Sequence, residues 1–442
     1  MPQSARLPRL DKVQFGFEGQ LGVGFQLLGR FKRTLISPDE ILREMEKWVH
    51  EYCFDLVPST RIGFSETTPT LFCQLHPAAE ELELSVLDLN HFAASAKTST
   101  VGPGYHIFLC DMLRKLGGQF DVEWQAPNDD FFDEAEYFFT GNEENVFEEM
   151  ARWLNGLSRC FFEGIFEEEP ADMPTVLCLP IGVAFEADAR AVTPVGPRDV
   201  AWLKNVASDG LAGRDFFAWW KPALDAEYFL GRALVRMWTQ VRWRKPVNDG
   251  ERETLNYVAD SLEIALKLDA HLSYPWTEWA EILDFLERND SESEQMRRRG
   301  SGVAKIGYRR RNVAQHLPGN WIIKLPGSFS NFEADEEGDF SAQDPPRTIW
   351  FTSYNFVDNP EQMFAEGRQE ILNRRPTLLE ERDDYIARAE ISQKTENDGE
   401  YFVLTSANIC RKGRSILSIV FTDPEERTWA EAVWRSLQPP RG

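Results

Sequence analysis

His106 and Cys110 stand four residues apart in a stretch whose pattern predicts a helix over about 105–116, so their side chains share a face. A thiol beside an imidazole is a nucleophile and base when a third group orients the ring. The nearest carboxylate in sequence, Asp111, points elsewhere on a helix. The preceding turn, Gly102-Pro103-Gly104, allows a structural role instead: His106 satisfying that turn and Cys110 in the core. Both roles stand at this point.

A second candidate is acidic. Residues 129–149 hold nine acidic residues and no Lys or Arg. Asp129, Asp130, Asp133, Glu134 and Glu136 are hard-cation donors, but such loops need a sharp turn, typically with Gly inside. Here Phe131, Phe132, Tyr137, Phe138 and Phe139 interrupt the acids, which favours an amphipathic helix face. That face is either merely solvated or a contact for a basic partner. Five glycines (16, 19, 22, 24 and 29) superficially suggest a phosphate loop. No Lys-Ser/Thr follows them and they do not open a helix, so Gly-punctuated strands are expected.

The third concentration is aromatic and cationic. Seven of the 14 Trp lie within 202–279, including Trp219-Trp220, Trp238 and Trp243, with Arg232, Arg236, Arg242 and Arg244 among them. Trp and Arg are over-represented where proteins grip partners. They equally build cores, with Arg232 and Arg236 pairing to Asp225 and Glu227 or stacking on Trp. Because Trp is seldom fully buried, some of these rings are expected at the surface.

Composition narrows the classes. The 442 residues suffice for two or three domains, and 42% hydrophobic content excludes disorder of the whole chain. The net charge of −24 disfavours nucleic acid as a bulk partner and suits a basic protein. The N-terminus has no apolar signal region, and no apolar run approaches a membrane span. Six scattered Cys without a CxxC pair suggest neither zinc nor a disulfide framework, which points to a reducing, cytoplasmic setting.

The elements that must position these residues read as α+β. Strands are expected at 13–17, at 22–25, at 70–75 and 83–86, and at 175–185 as a buried strand. Ser37-Pro38 opens a helix to about Tyr52, with Ser37 as its cap. Two strong helices follow at 223–243 and 251–268. The organisation is an N-terminal α+β domain at 1–172, a Trp-rich mainly helical region at 173–290, a basic linker at 291–315 and a C-terminal unit at 316–442. Between Gln295 and Gln315 seven basic residues and no acid occur, as a solvated hinge or as a strap onto the acidic 129–149 face.

In the last unit, strands at 321–326, 348–353, 386–391, 401–406 and 415–421 alternate with helices at 360–374 and 425–437. That order, its Pro318, Trp321, Leu325-Pro326 opening and its closing Trp429, Val433, Trp434 and Leu437 resemble the Mog1/PsbP-like (DcrB-like) domains. The 332–345 insertion, rich in Asp and Glu, departs from that pattern. The resemblance implies an antiparallel sheet packed with helices and a binding role, and it carries no active-site set with it.

The expectation is therefore a cytoplasmic, protein-binding protein, of bacterial immunity or adaptor/chaperone type, that neutralises or escorts a toxin or secreted effector. Expected contacts are Asp129, Asp130, Phe131, Phe132, Asp133, Glu134, Tyr137, Trp219, Trp220 and Trp243, with no catalytic residue, metal or cofactor assigned. The alternatives are a hydrolase without a recognisable linear motif centred near His106, and a scaffolding subunit that docks through the Trp-rich unit.

Overall fold

The computed structural model describes residues 22–33, 37–56, 58–160, 177–178, 191–288, 298–299, 306–334, 339–396 and 399–440. The strand expected at 13–17, the glycines at 16 and 19, most of 175–185, and Arg297 lie outside them.

The first unit is an antiparallel sheet covered by helices. Its strands are β1 (Gly24–Phe31), β2 (Ser59–Ser65), β3 (Thr68–Gln74), β4 (Leu82–Val86), β5 (His91–Lys97), β6 (Val122–Trp124) and β7 (Phe132–Asp133). The order is β2-β3-β4-β5-β1-β6, with β7 also pairing to β1. Helix α1 (Pro38–Tyr52) lays Leu42, Met45 and Val49 on the sheet at the helical spacing of an apolar stripe. Ser37 is its N-cap by backbone conformation, but its side chain makes no capping bond. Helix α2 (Pro103–Gln119) is largely buried, and Ile107, Leu109, Met112, Leu113 and Leu116 fill the centre of the unit.

The acidic segment is not one helix. It runs through β7, a short α3 (Tyr137–Thr140) and then α4 (Glu143–Cys160). Glu136 and Gly141 both take positive φ, so the chain turns sharply on either side of α3. Consecutive aromatics can then face different surroundings, which a single helix face would not permit.

The middle unit has a small sheet of β8 (Leu177–Cys178), β9 (Ala191–Thr193) and β10 (Gly196–Arg198). Its helices are α5 (Val200–Ser208), α6 (Ala226–Thr239), α7 (Asp249–Leu268) and α8 (Trp276–Phe285). Asp199, Asp225 and Asn248 cap α5, α6 and α7 through side-chain oxygens. Phe216, Trp219, Tyr228 and Val235 pack into the same hydrophobic cluster as the N-terminal sheet, across the 172/173 boundary read from the sequence. Met237, Val241, Leu255, Leu262, Trp279 and Ile282 form a second cluster between α6, α7 and α8.

Of the seven Trp in 202–279, Trp219 and Trp279 are buried, the other five are half-buried, and none is fully exposed. Arg232 and Arg236 do not pair with Asp225 or Glu227. Asp225 is spent as the α6 cap and Glu227 holds Arg214. Both guanidinium groups instead lie 4.1 Å from the Tyr257 ring, and Arg232 donates to the carbonyls of Asp55 and Leu56.

The described end of the basic linker is docked rather than a free hinge, and not on the acidic face. Tyr308 is buried and bridges both main-chain groups of Thr193. Arg310 pairs with Glu281 and stacks 3.6 Å over Trp243. Arg309 donates its Nε to the Thr239 carbonyl at 2.7 Å.

The last unit follows its alternating pattern closely. A hairpin of β11 (Asn312–Leu317) and β12 (Trp321–Pro326) precedes β13 (Ser330–Ala334), β14 (Asp339–Asp344), β15 (Arg347–Asn355), β16 (Leu378–Arg382), β17 (Tyr385–Glu396), β18 (Gly399–Cys410) and β19 (Gly413–Phe421). These last seven form an antiparallel sheet in the order β13-β14-β15-β19-β18-β17-β16. Helices α9 (Pro360–Asn373) and α10 (Arg427–Arg435) pack against it, with Trp321, Trp434 and Leu437 in its core. The whole chain is thus a multi-domain α+β protein.

Candidate functional site

The Gly102-Pro103-Gly104 turn is a docking notch. Gly102 takes φ +128°, and a Cβ there would meet the Trp219 carbonyl at 2.6 Å. A Cβ on Gly104 would meet the Lys221 carbonyl at 2.4 Å. The main chain of 219 lies against the start of α2: Gly104 N–H donates to Trp219 O at 3.1 Å, and Trp219 N–H donates to Val101 O at 3.0 Å. The Gly104 amide at this helix start is therefore already spent and cannot stabilise an oxyanion.

His106 does not cap that turn. Its Nδ1 lies 2.9 Å from Thr98 Oγ1, and its Nε2 lies 3.1 Å from Asp133 Oδ1. Sequence reasoning weighed Asp111 as the third group and placed Asp133 on a partner surface. The structure puts Asp133 beside His106, because β7 pairs with β1 and drops into the space over α2. No local pattern signals that pairing. Cys110 completes a trio with His106 and Asp133, ligand atoms within 4.8 Å of one another and all three residues buried.

The chemistry of the trio follows from its burial. Desolvation, with Asp133 nearby, pushes the Cys110 thiol well above its ordinary range, so it stays protonated and poorly nucleophilic. Burial alone would raise the Asp133 carboxyl. His106 and the N–H groups of Phe138 and Ala135 outweigh it and hold the carboxyl below its usual value. Asp133 Oδ1 accepts from Ala135 N at 3.0 Å and Oδ2 from Phe138 N at 2.7 Å. His106, Cys110 and Asp133 are a donor set a transition metal can use. With the carboxylate held by two amides and the imidazole, and the thiol protonated, the trio acts as a structural pin joining α2 to β7.

The remaining expected contacts divide. Asp129 and Asp130 are exposed, Phe131, Phe132 and Glu134 are half-buried, and Tyr137 is buried. The carbonyls of Tyr137 and Phe138 accept from Arg114, which ties α3 to α2. Phe139 is the aromatic of this stretch that reaches the surface, at 40% exposure. Trp219, at 1% exposure, serves the core and is not available to a partner in this fold. Trp243 lies apart from the acidic segment, under Arg310.

Trp220 is brought to the acidic segment: its ring packs 5.1 Å from Phe147 on α4. Above Phe147 runs an open groove of about 670 Å³, lined by Glu144, Phe147, Glu148, Ala151, Arg152 and Leu211. Leu211 is 54% exposed, and Glu144 and Glu148, exposed on one helix face, have no ion-pair partner among the described residues. Arg152 is paired with Glu149. The groove therefore has an apolar floor, packed against Trp220 through Phe147, and a rim with two exposed glutamates beside the paired Arg152. Sequence reasoning counted Glu144 and Glu148 in the acidic stretch but named neither as a contact, and it missed Leu211, which lies far along the chain.

Glu134 supplies a pH signature. Its Oε2 accepts the Gly24 N–H at 2.7 Å. Burial pushes the carboxyl up to about 7; the Gly24 amide opposes this, and Glu149 and Asp133 add to it. A carboxyl raised in the folded state stabilises the fold fully below its ordinary value of 4.5, and that contribution is lost as pH rises through about 7. Glu134→Gln keeps an acceptor for Gly24. It should flatten the stability decline over this window and add about 1 kcal/mol above it, a figure discounted for partial solvation. Urea melts across the window read this directly, and an unchanged slope in the variant would refute it.

No family model matches the chain, and no curated protein does. Among solved structures, it is similar to a crystal structure of a protein from Bacteroides thetaiotaomicron VPI-5482, at 15% identity and a TM-score of 0.24. That match covers 29% of this chain and 48% of the other, so it spans about half the length of that protein. A likeness this slight carries no argument on fold or function.

Proposed function

We propose that this chain is a protein-binding protein that captures a basic partner in the acid-rimmed groove on α4. In biological terms it is an immunity or adaptor/chaperone-type protein that neutralises or escorts a toxin or secreted effector in the cytoplasm. The observation that carries the reading is the groove itself: an apolar floor of Phe147, Ala151 and Leu211 under the exposed Glu144 and Glu148. An apolar anchor with a flanking Lys or Arg fits that arrangement, and the net charge of −24 speeds the encounter. The Mog1/PsbP-like reading of 316–442 belongs to the same proposal, supported by its element order. Among the described residues no helix is long and apolar enough to cross a membrane.

Hydrolase chemistry at His106 has less behind it, since the ring is fully buried and the Gly104 amide is already bonded. The test is a pair of affinity captures from native lysate, with wild type and with Glu144→Lys/Glu148→Lys. Both positions are exposed, so folding should change by no more than about 0.5 kcal/mol. A basic protein retained by wild type and lost with the variant is expected. Its association rate should fall about tenfold from low to high salt, while dissociation changes less. Equal recovery by both proteins would remove the groove as the binding surface.

A further inference from the structure

A second pocket lies in the seam between the middle and last units. The chain leaving α6 enters this seam as Gln240, Val241, Arg242, Trp243 and Arg244. Arg244 is fully engaged there. It pairs with Glu251 at 2.7 Å and with Asp344 at 2.9 Å, and donates to Ser328 O and Ser330 Oγ. Glu251 and Asp344 are thereby committed to Arg244.

Arg242 and Arg309 are not matched in this way. Among the described residues neither has a carboxylate within ion-pair distance. Arg242 Nη1 donates to the carbonyls of Gly327 and Phe329, and Arg309 Nε to that of Thr239. The Nε and Nη2 of Arg242 and both Nη atoms of Arg309 have no acceptor among the described residues. Both side chains line a cavity of about 340 Å³, together with Arg244 and its partner Glu251, Asn248 and Ser330. The cavity also borders the N-terminal end of α7, where the Asn248 side chain accepts the Glu251 N–H.

Arg242 and Arg309 are half-buried, and among the described lining residues three guanidinium groups face one carboxylate, Glu251, which Arg244 already holds, so the balance of charge there favours an anion. Desolvation brings Arg242 down to about 10 and Arg309 down to about 9; the neighbouring arginines add to both drops, and Glu251 opposes them without cancelling them. Such a reversal of sign is conspicuous in a chain of net charge −24.

We propose that the seam pocket binds an oxyanion of the phosphate class, clamped between the guanidinium groups of Arg242 and Arg309. Planar guanidinium forks match phosphoryl oxygens in pairs, which a single ammonium does not. The volume accommodates a phosphoryl group with a small organic remainder. Arg242 approaches from the middle unit, Arg309 from the docked linker and Ser330 from the last unit, so the bound anion ties the three together.

Calorimetric titration of the full chain with inorganic pyrophosphate, inorganic phosphate and citrate, at one ionic strength, tests this. Pyrophosphate is expected to bind saturably at one site, more tightly than citrate, and to raise the melting temperature. Arg242→Gln/Arg309→Gln should weaken that binding at least about tenfold, the loss of charge-assisted hydrogen bonds. Should that protein fail to fold, Arg309→Lys keeps the charge, removes the fork, and should also weaken pyrophosphate binding. The proposal is overturned by absent saturable binding of both phosphates, by a preference for citrate, or by unchanged affinity in the folded variant.

Discussion

Asp133→Ala should destabilise the protein by about 3 kcal/mol, the cost of breaking a buried pair and stranding its partners. The side chain is 4% exposed and faces a fully buried His106. Truncation leaves the amides of Ala135 and Phe138 without an acceptor and removes the charge that stabilises the imidazole. Asp133→Asn, which keeps an acceptor oxygen, should cost roughly half as much. The pH dependence has a definite sign. A carboxyl held below its ordinary value contributes stability present above its unfolded value of 3.8 and lost as pH falls through its lower folded value. The gap between wild type and Asp133→Asn should therefore narrow at acidic pH. Urea denaturation at neutral and acidic pH measures both effects. A neutral-pH loss below about 1 kcal/mol for Asp133→Ala would mean that the trio is not a pin.

Trp219→Ala should cost about 4 kcal/mol, in the range for emptying a large aromatic site. The ring lies 4.4 Å from Tyr228, 5.2 Å from Phe108 and 5.8 Å from Tyr105, within one core shared by α2 and α6. Its indole Nε1 has no hydrogen-bond partner among the described residues, so Trp219→Phe gives up packing volume alone and should cost far less. This separates a core role from a partner-gripping one. A core Trp lowers the melting temperature while the folded fraction still binds at the α4 groove; a contact residue does the reverse. Thermal melts of both variants decide it, and a Trp219→Ala protein as stable as wild type would place the ring outside the core.

Much of the fold was legible because it is written in local periodicity. Short runs rich in β-branched and aromatic residues marked 348–353, 401–406 and 415–421 as strands, and β15, β18 and β19 contain them. Apolar residues at helical spacing marked α1, α2, α7 and α9. The α+β class follows from counting such segments. Boundaries moved where caps decided them. The helix expected from 223 begins at Ala226 because the Asp225 side chain accepts the Tyr228 N–H.

What each polar or aromatic side chain does was decided by what lies opposite it, and that is a matter of long-range contact. The acidic stretch was read as one helix because its turns at Glu136 and Gly141 depend on positive φ, which composition there does not announce. Once the chain turned, Asp133 went inward to His106 while Asp129 and Asp130 stayed in water. The Trp-rich stretch looked like a gripping surface by composition, yet burial is set by the neighbouring sheet and helices, which sequence spacing does not contain. The same holds for the arginines: Arg244 found two acids, Arg242 and Arg309 found carbonyls and a cavity, and their sequence contexts do not distinguish them. Residue type and period therefore determined which elements form and which chemistry was on offer. Tertiary packing determined which of that chemistry was paired, buried or left facing an opening, because desolvation and partner distance exist only once the chain is folded.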